Sequence, residues 1–182
     1  MREPARRSRV PIGLLLAAFA SAPLLVADAA AQSCAAPLNI APNTPYVFDT
    51  CSGDVGLSVA CGMFALTGPA GIVHLSLPYP AGTLLVTPFS ATYDPALFLL
   101  QTRCGSAAWC GAVVDDAPQG GSESMALGDV DSGEYYLAIS TWYDPTAAAC
   151  GPVMISYELM PEQQALANDG VFRSGITALP DP

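Results

Sequence analysis

Beyond residue 44 the sequence consists of short apolar or alternating runs separated by glycine, proline and aspartate, and this pattern limits the possible folds more than any other feature. Residues 72–77 and 134–141 alternate with period two, which is typical of half-buried strands. No run has the 3.6-residue period of an amphipathic helix. We therefore predict an all-β domain, an antiparallel β-sandwich of about eight strands. The predicted strands are residues 45–50, 56–61, 72–77, 83–87, 96–102, 122–127, 134–141 and 152–159.

Residues 1–31 have the order of a secretory signal peptide. Four arginines lie within the first nine residues, an apolar run extends over residues 12–26, and small residues follow up to Ala29 and Ala31. A membrane span would need roughly 18 uninterrupted apolar residues, but Pro23 and Asp28 interrupt this run. We predict cleavage after Ala31, export to the periplasm or the extracellular space, and no stable membrane insertion afterwards.

The part of the chain beyond residue 31 is strongly acidic. Of the six basic residues, four leave with the leader and Arg103 and Arg173 remain; of the sixteen acidic residues, Glu3 and Asp28 leave and fourteen remain, which gives a formal net charge of −12. Such a charge repels nucleic acid, so nucleic-acid binding is excluded. Residues 32–160 are predicted to form one monomeric β-domain, and residues 161–182, which lack periodicity, a mobile C-terminal tail.

All six cysteines lie beyond the leader. An even number of cysteines in an exported chain indicates disulfides rather than metal ligands, and His74 is the only histidine available to a zinc site. The loop between Cys104 and Cys110 is short enough for these two residues to pair, and we predict that bond. The other four cysteines allow three connectivities, of which we favour Cys51–Cys61 with Cys34–Cys150.

Between residues 81 and 159, five motifs occur in the order and spacing of a known family. They are a Gly-Thr-Leu-Leu-Val strand at residues 82–86, a Tyr-Asp-Pro-Ala-Leu segment at residues 93–97, a short loop between two cysteines followed by an Asp-Asp pair, a Gly-Glu-Tyr-Tyr-Leu strand at residues 133–137, and a closing strand around Tyr157. In these features the chain resembles the bacterial pre-peptidase C-terminal domain. The resemblance implies a secreted β-sandwich of jelly-roll type, without catalytic residues of its own.

Calcium is the one cofactor that the sequence suggests. Hard cations take several oxygen ligands, commonly from carboxylates in turns, and Asp94, Asp115 and Asp116 lie at strand ends or turns. The family resemblance places the segment of Asp94 and the Asp-Asp loop on neighbouring connections. We therefore predict these three residues as the ligands of any calcium ion, the alternative being that they are solvated surface charges.

No set of residues indicates an enzyme. His74 lies within a predicted strand, and the sequence contains no Gly-x-Ser-x-Gly motif to supply a nucleophile. Asp115 and Asp116 would point apart on an extended chain, which does not suit a glycosidase pair. We predict a non-catalytic binding module for carbohydrate or an extracellular protein. One alternative is a structural module that assists the secretion or folding of exported proteins, and a weaker one is a small secreted hydrolase.

Overall fold

The regular structure consists almost entirely of short β-strands. The computed structural model describes residues 25–26, 32–78, 82–142 and 146–159. The predicted tail and most of the predicted signal peptide lie outside the described residues. One 3₁₀ turn spans Thr50–Ser52, and the strands are β1 Leu25–Val26, β2 Leu38–Asn39, β3 Tyr46–Asp49, β4 Val59–Ala60, β5 Phe64–Ala65, β6 Gly71–Leu77, β7 Thr83–Pro88, β8 Ala96–Gln101, β9 Cys110–Val114, β10 Glu123–Ala126, β11 Gly133–Ser140 and β12 Pro152–Glu158.

The strands form two five-stranded sheets and a separate hairpin of β4 and β5. The first sheet has the order β1-β3-β12-β7-β10, and the second has the order β2-β6-β11-β8-β9. The short strands β1 and β2 pair in parallel with β3 and β6, whereas the other pairs are antiparallel. The eight main strands are β3 and β6 to β12. Strand β3 pairs with β12, β6 with β11, β7 with β10 and β8 with β9. This nesting is that of a jelly roll, and it confirms the predicted antiparallel sandwich.

The inner core fills the space between the two sheets. The alternation predicted from the sequence is confirmed, since β6 turns Val73, Leu75 and Leu77 inward and β11 turns Leu137 and Ile139 inward. The first sheet contributes the alternate residues of β7, β10 and β12 to the same cluster. These side chains are Leu84, Val86, Met125, Val153, Ile155 and Tyr157.

Two inner-core tyrosines fix connections at the edge of this core. The Tyr135 hydroxyl donates to the carbonyl of Asp131, four residues upstream, at 2.8 Å, and burial raises the pKa of Tyr135, with the Asp131 carboxylate adding to the effect. The Tyr93 hydroxyl accepts a hydrogen bond from Thr50 at 3.1 Å. Burial raises the pKa of Tyr93 far above its usual value, so this phenol stays neutral in the folded protein.

The outer face of the second sheet is buried as well over part of its area. Ile72, Phe98, Leu100 and Ala138 point away from the inner core yet are fully buried, and we call the cluster around them the outer core. They are covered by residues 51–66, which include the β4–β5 hairpin, and by the loop of residues 102–109. We call these two segments the flap. Strands β6, β8 and β11 are therefore buried on both faces where the flap lies, which the half-buried strand pattern did not predict.

The three disulfides confirm that all six cysteines pair, but the predicted pairing is wrong. Instead of Cys104–Cys110, Cys51–Cys61 and Cys34–Cys150, the bonds are Cys34–Cys104, Cys51–Cys150 and Cys61–Cys110. The loop between Cys104 and Cys110 does not close on itself, because it lies across the outer face of the sheet and buries Ala108 there. Each of its end cysteines therefore meets a segment that is distant in sequence.

Candidate functional site

The candidate site is an open cleft between the two segments of the flap. One wall is the β4–β5 turn with Cys61, Gly62, Met63 and Phe64, and the other is formed by residues 107–110. The cleft has a volume of about 470 Å³, which lies within the usual range of ligand pockets, roughly 300–1,000 Å³. It is larger than a cleft of about 400 Å³ beside Leu85 and Met154 and than one of about 220 Å³ beside Tyr135.

Covalent and backbone bonds fix the two walls relative to each other. The Cys61–Cys110 disulfide joins them directly, and the backbone N–H of Gly62 donates to the carbonyl of Ser106 at 2.8 Å. Cys61 and Gly62 have φ values of 56° and 72°, a left-handed conformation that glycine adopts freely and cysteine does not. The backbone turns sharply at this point, and the cleft is consequently rigid on the side of the hairpin.

Aromatic contacts support the floor of the cleft. The Phe64 ring lies 5.5 Å from that of Phe98, which belongs to the outer core, and 5.0 Å from that of Trp142 in an edge-to-face arrangement. Pairs of this geometry stabilise a structure beyond the area they bury. Phe64 therefore connects the cleft to the sheet beneath it.

The rim of the cleft exposes large apolar side chains. Trp109 is 81% exposed and Met63 is 75% exposed, on opposite walls. Among the described residues that line the cleft, none has an ionisable side chain, since both cysteines are disulfide-bonded, and the indole N–H of Trp109 is the one strong side-chain hydrogen-bond donor. The cleft can hold an apolar group of a ligand and offers backbone groups for hydrogen bonds, but it offers no acid, base or nucleophile.

The predicted calcium ligands lie elsewhere, at connections between the two sheets. The two loops do meet, because the Gly120 N–H donates to the carbonyl of Tyr93 at 2.9 Å. Asp94 and Asp115 are half-buried and Asp116 is exposed. Within the described ranges no group of three or more histidine, cysteine, aspartate or glutamate side chains is arranged to hold a metal ion. Calcium binding at these residues stays a prediction.

A buried carboxylate, that of Glu123, organises the Asp-Asp loop. Glu123 is only 1% exposed, and its two oxygens accept the backbone N–H groups of Asp116 and Ala117 at 3.2 and 2.8 Å. Hydrogen bonds of this kind satisfy a buried charge. The loop therefore already has an anionic anchor of its own.

His74 lies on the part of the outer face that the flap leaves uncovered. Its Nδ1 is 2.9 Å from Oδ1 of Asn39, its Nε2 is 3.1 Å from a carboxylate oxygen of Glu134, and its ring lies 5.0 Å from that of Tyr136. Both ring nitrogens are occupied by these structural contacts. The arrangement resembles a cross-strand polar ladder more than a catalytic pair.

Sequence reasoning did not identify Met63, Phe64 and Trp109 as site residues. The sequence feature that could have identified them is their position near cysteines, since Met63 and Phe64 follow closely after Cys61 and Trp109 directly precedes Cys110. Pairing Cys61 with Cys110 brings these apolar residues together, and the predicted Cys104–Cys110 bond concealed that connection.

Comparisons with solved structures include the two likenesses given below. No family model and no curated protein matches the chain, so the resemblance to the pre-peptidase C-terminal domain stays a prediction. One similar structure is CorA, a surface-associated copper-binding protein important in Methylomicrobium album BG8 copper acquisition, at 8% identity over 69% of this chain and 98% of that one, with a TM-score of 0.45. Another is Aeromonas hydrophila PliG, a periplasmic inhibitor of g-type lysozyme, at 8% identity over 70% and 96%, with a TM-score of 0.36. At these TM-scores neither likeness bears on function.

The described residues also include no helix of the length and apolarity that a membrane-spanning helix requires.

Proposed function

We propose that this protein is an exported, non-catalytic binding module that holds an extracellular or periplasmic protein by the flap cleft. The observation that carries the proposal is the pair Met63 and Trp109, which stand exposed on opposite walls of an apolar cleft fixed by a disulfide. Tryptophan and methionine are enriched at protein interfaces, and tryptophan is one of the residues that most often dominates the binding free energy. The jelly-roll topology that the resemblance to pre-peptidase C-terminal domains implies is consistent with such a module.

The lining of the cleft favours a protein over a carbohydrate. A sugar ring presents hydroxyl groups on every edge and needs hydrogen-bonding partners around the aromatic face that it stacks on, because an unpaired polar group costs free energy once it is buried. Among its described lining residues the cleft supplies one side-chain donor, the indole N–H of Trp109, and no side-chain carboxylate, amide or hydroxyl group. An apolar side chain on the surface of a partner protein meets the cleft without that cost.

The net charge favours a basic partner. With two basic and fourteen acidic residues beyond residue 31, the domain attracts positively charged proteins and accelerates their association at low salt. In this proposal, long-range attraction brings the partner to the domain, and the apolar contact at the cleft holds it there.

Site-specific photo-crosslinking tests the proposal. A photoreactive phenylalanine analogue at position 109 should crosslink a protein from the exported fraction, whereas the same analogue at Phe89, an exposed aromatic residue at 59% exposure beyond strand β7, should not. The purified partner should then bind Trp109→Ala and Met63→Ser at least tenfold more weakly than wild type, a loss of about 1.4 kcal/mol or more, while Phe89→Ser binds normally. Equal crosslinking at positions 109 and 89 would contradict the proposal, as would retention on polysaccharide columns that Trp109→Ala does not change.

A further inference from the structure

The residue that follows the predicted cleavage site is buried. Gln32 is only 2% exposed, and its carbonyl accepts the backbone N–H of Ile72, an outer-core residue, at 2.9 Å. Two residues later the chain is fixed again, because Cys34 is bonded to Cys104 and its N–H donates to Asp54 at 3.0 Å. The fold therefore fixes the chain at Gln32 itself and again at Cys34, two residues later.

A free amino terminus at this position is unfavourable. An α-amino group has an ordinary pKa of about 7.7–8.0 and carries a positive charge at neutral pH, and a buried charge without a partner destabilises the folded state. The side-chain oxygen of Gln32 is also buried and has no hydrogen-bond partner among the described residues. Cleavage would thus place a charged α-amino group beside a buried side-chain amide oxygen that has no hydrogen-bond partner among the described residues.

We propose that cleavage after Ala31 exposes Gln32 as the first residue and that this residue closes into pyroglutamate. The α-amino nitrogen attacks Cδ of the side-chain amide, the new C–N bond forms, the bond from Cδ to Nε2 breaks, and Nε2 leaves as ammonia with the proton released by the attacking nitrogen. The five-membered lactam is uncharged and keeps one N–H and one carbonyl. The reaction is intramolecular, so it needs no oxidant, no cofactor and no access for a second substrate.

The composition of the chain allows the state of the amino terminus to be measured directly. All six basic residues are arginines, so the chain has no lysine, and the α-amine is the only primary amine of the mature protein. The full chain is expressed with export from a bacterial host, and the exported protein is denatured and then treated with an amine-reactive label, so that a buried amine also reacts. We expect no label on the wild type, and an N-terminal peptide that starts at Gln32 and is lighter by one ammonia molecule. Gln32→Asn, whose side chain is too short to form the five-membered ring, should start at the same position and take up one label.

Treatment with pyroglutamyl peptidase tests whether the ring is buried by the fold. The enzyme should leave the native wild type intact and should remove the ring once the protein is reduced and denatured. A single label on the wild type, a first residue other than Gln32, or removal of the ring at equal rates from native and denatured protein would overturn the proposal. These three measurements use the wild type alone and decide the question even if the Gln32→Asn variant is not exported.

Discussion

The inner core and the outer core bury apolar side chains by different means. The inner core consists of large residues that recur at every second position of long strands, and no cysteine packs against it within the described residues. The outer core contains several alanines among its buried residues, is covered by the irregular flap, and has Cys34, Cys61, Cys104 and Cys110 packed against it. A regular layer can be held by apolar burial, whereas an irregular layer over small residues needs covalent links.

The difference follows from how much apolar area each layer removes from water. Burial stabilises by roughly 25 cal/mol per Å² of apolar surface, and an alanine contributes far less area than a leucine. The flap also has few backbone hydrogen bonds to the sheet below, since its strands β4 and β5 pair only with each other. By restricting the unfolded chain, the disulfides supply the stability that packing in this layer does not.

The largest expected effect comes from truncating a leucine in each core. Leu137→Ala, at a fully buried position of β11, should lower the free energy of unfolding by about 2–5 kcal/mol. Leu57→Ala, at a buried position of the flap, should cost less than half as much, because Leu57 lies in an irregular segment outside the disulfide-linked hairpin turn, and this segment can close around the smaller side chain. Urea unfolding of both variants measures the difference, and equal losses would remove the distinction between the two cores.

Removal of single disulfides separates stability from binding. Changing Cys61 and Cys110 to serine should lower the free energy of unfolding by about 2–4 kcal/mol and abolish partner binding, because the two cleft walls lose their link. The matched control changes Cys51 and Cys150, which join the start of the flap to the segment before β12 and do not line the cleft. The control variant should lose similar stability and keep its binding. Loss of binding in both variants would mean that the cleft depends on the whole domain.

The contrast between the two cores also explains which strands could be predicted from the sequence and which could not. Alternation in residues 72–77 and 134–141 predicted strands β6 and β11 and their inward faces, since period two has one physical meaning when one face is buried. Strands β1, β2, β5 and β9 were not predicted, because the first three have only two residues each, too few to show a period, and Cys110–Val114 lies within a partly covered edge. The cleft could not be predicted from the sequence, because it depends on the pairing of Cys61 with Cys110, two residues 49 positions apart. No local sequence pattern determines such a contact.

Tyr93 lies where the inner core meets the start of the flap, since its hydroxyl contacts Thr50 beside Cys51. Burial raises its pKa, and Asp49 and Asp94 add to the effect of burial. The unfolded state therefore releases the phenolic proton at a lower pH than the folded state does. The contribution to stability is complete below pH about 10 and is lost as the pH rises above it, by about 1 kcal/mol over the first unit.

Tyr93→Phe should be less stable than wild type at neutral pH by about 0.5–1.5 kcal/mol, because one buried hydrogen bond is lost, and should lose less stability between about pH 10 and 11. Brief urea unfolding at each pH measures both effects. Parallel stability profiles for the two proteins above pH 10 would show that Tyr93 does not contribute to the alkaline transition.

Calcium should have the smallest effect. Because Glu123 already anchors the loop of Asp115 and Asp116, we favour the alternative in which these residues are solvated surface charges. We therefore expect calcium to change the melting temperature no more than magnesium at equal ionic strength, with only a screening effect from either ion. Thermal melts of the wild type and of Asp115→Ala, with each ion and with chelator, check this. A rise of several degrees with calcium alone, absent in Asp115→Ala, would instead establish a specific site, since a ligand at a hundredfold excess over Kd stabilises by about 2.7 kcal/mol.

The disulfide pairing decides the arrangement of the outer layer, because the flap, its cleft and the outer core all depend on it. Non-reducing peptide mapping of the exported protein, with free thiols blocked at acidic pH to prevent exchange, identifies the pairs without a ligand. We predict Cys34–Cys104, Cys51–Cys150 and Cys61–Cys110. A peptide in which Cys104 is bonded to Cys110 would contradict the account, since the loop would then close on itself and could not form the second wall of the cleft.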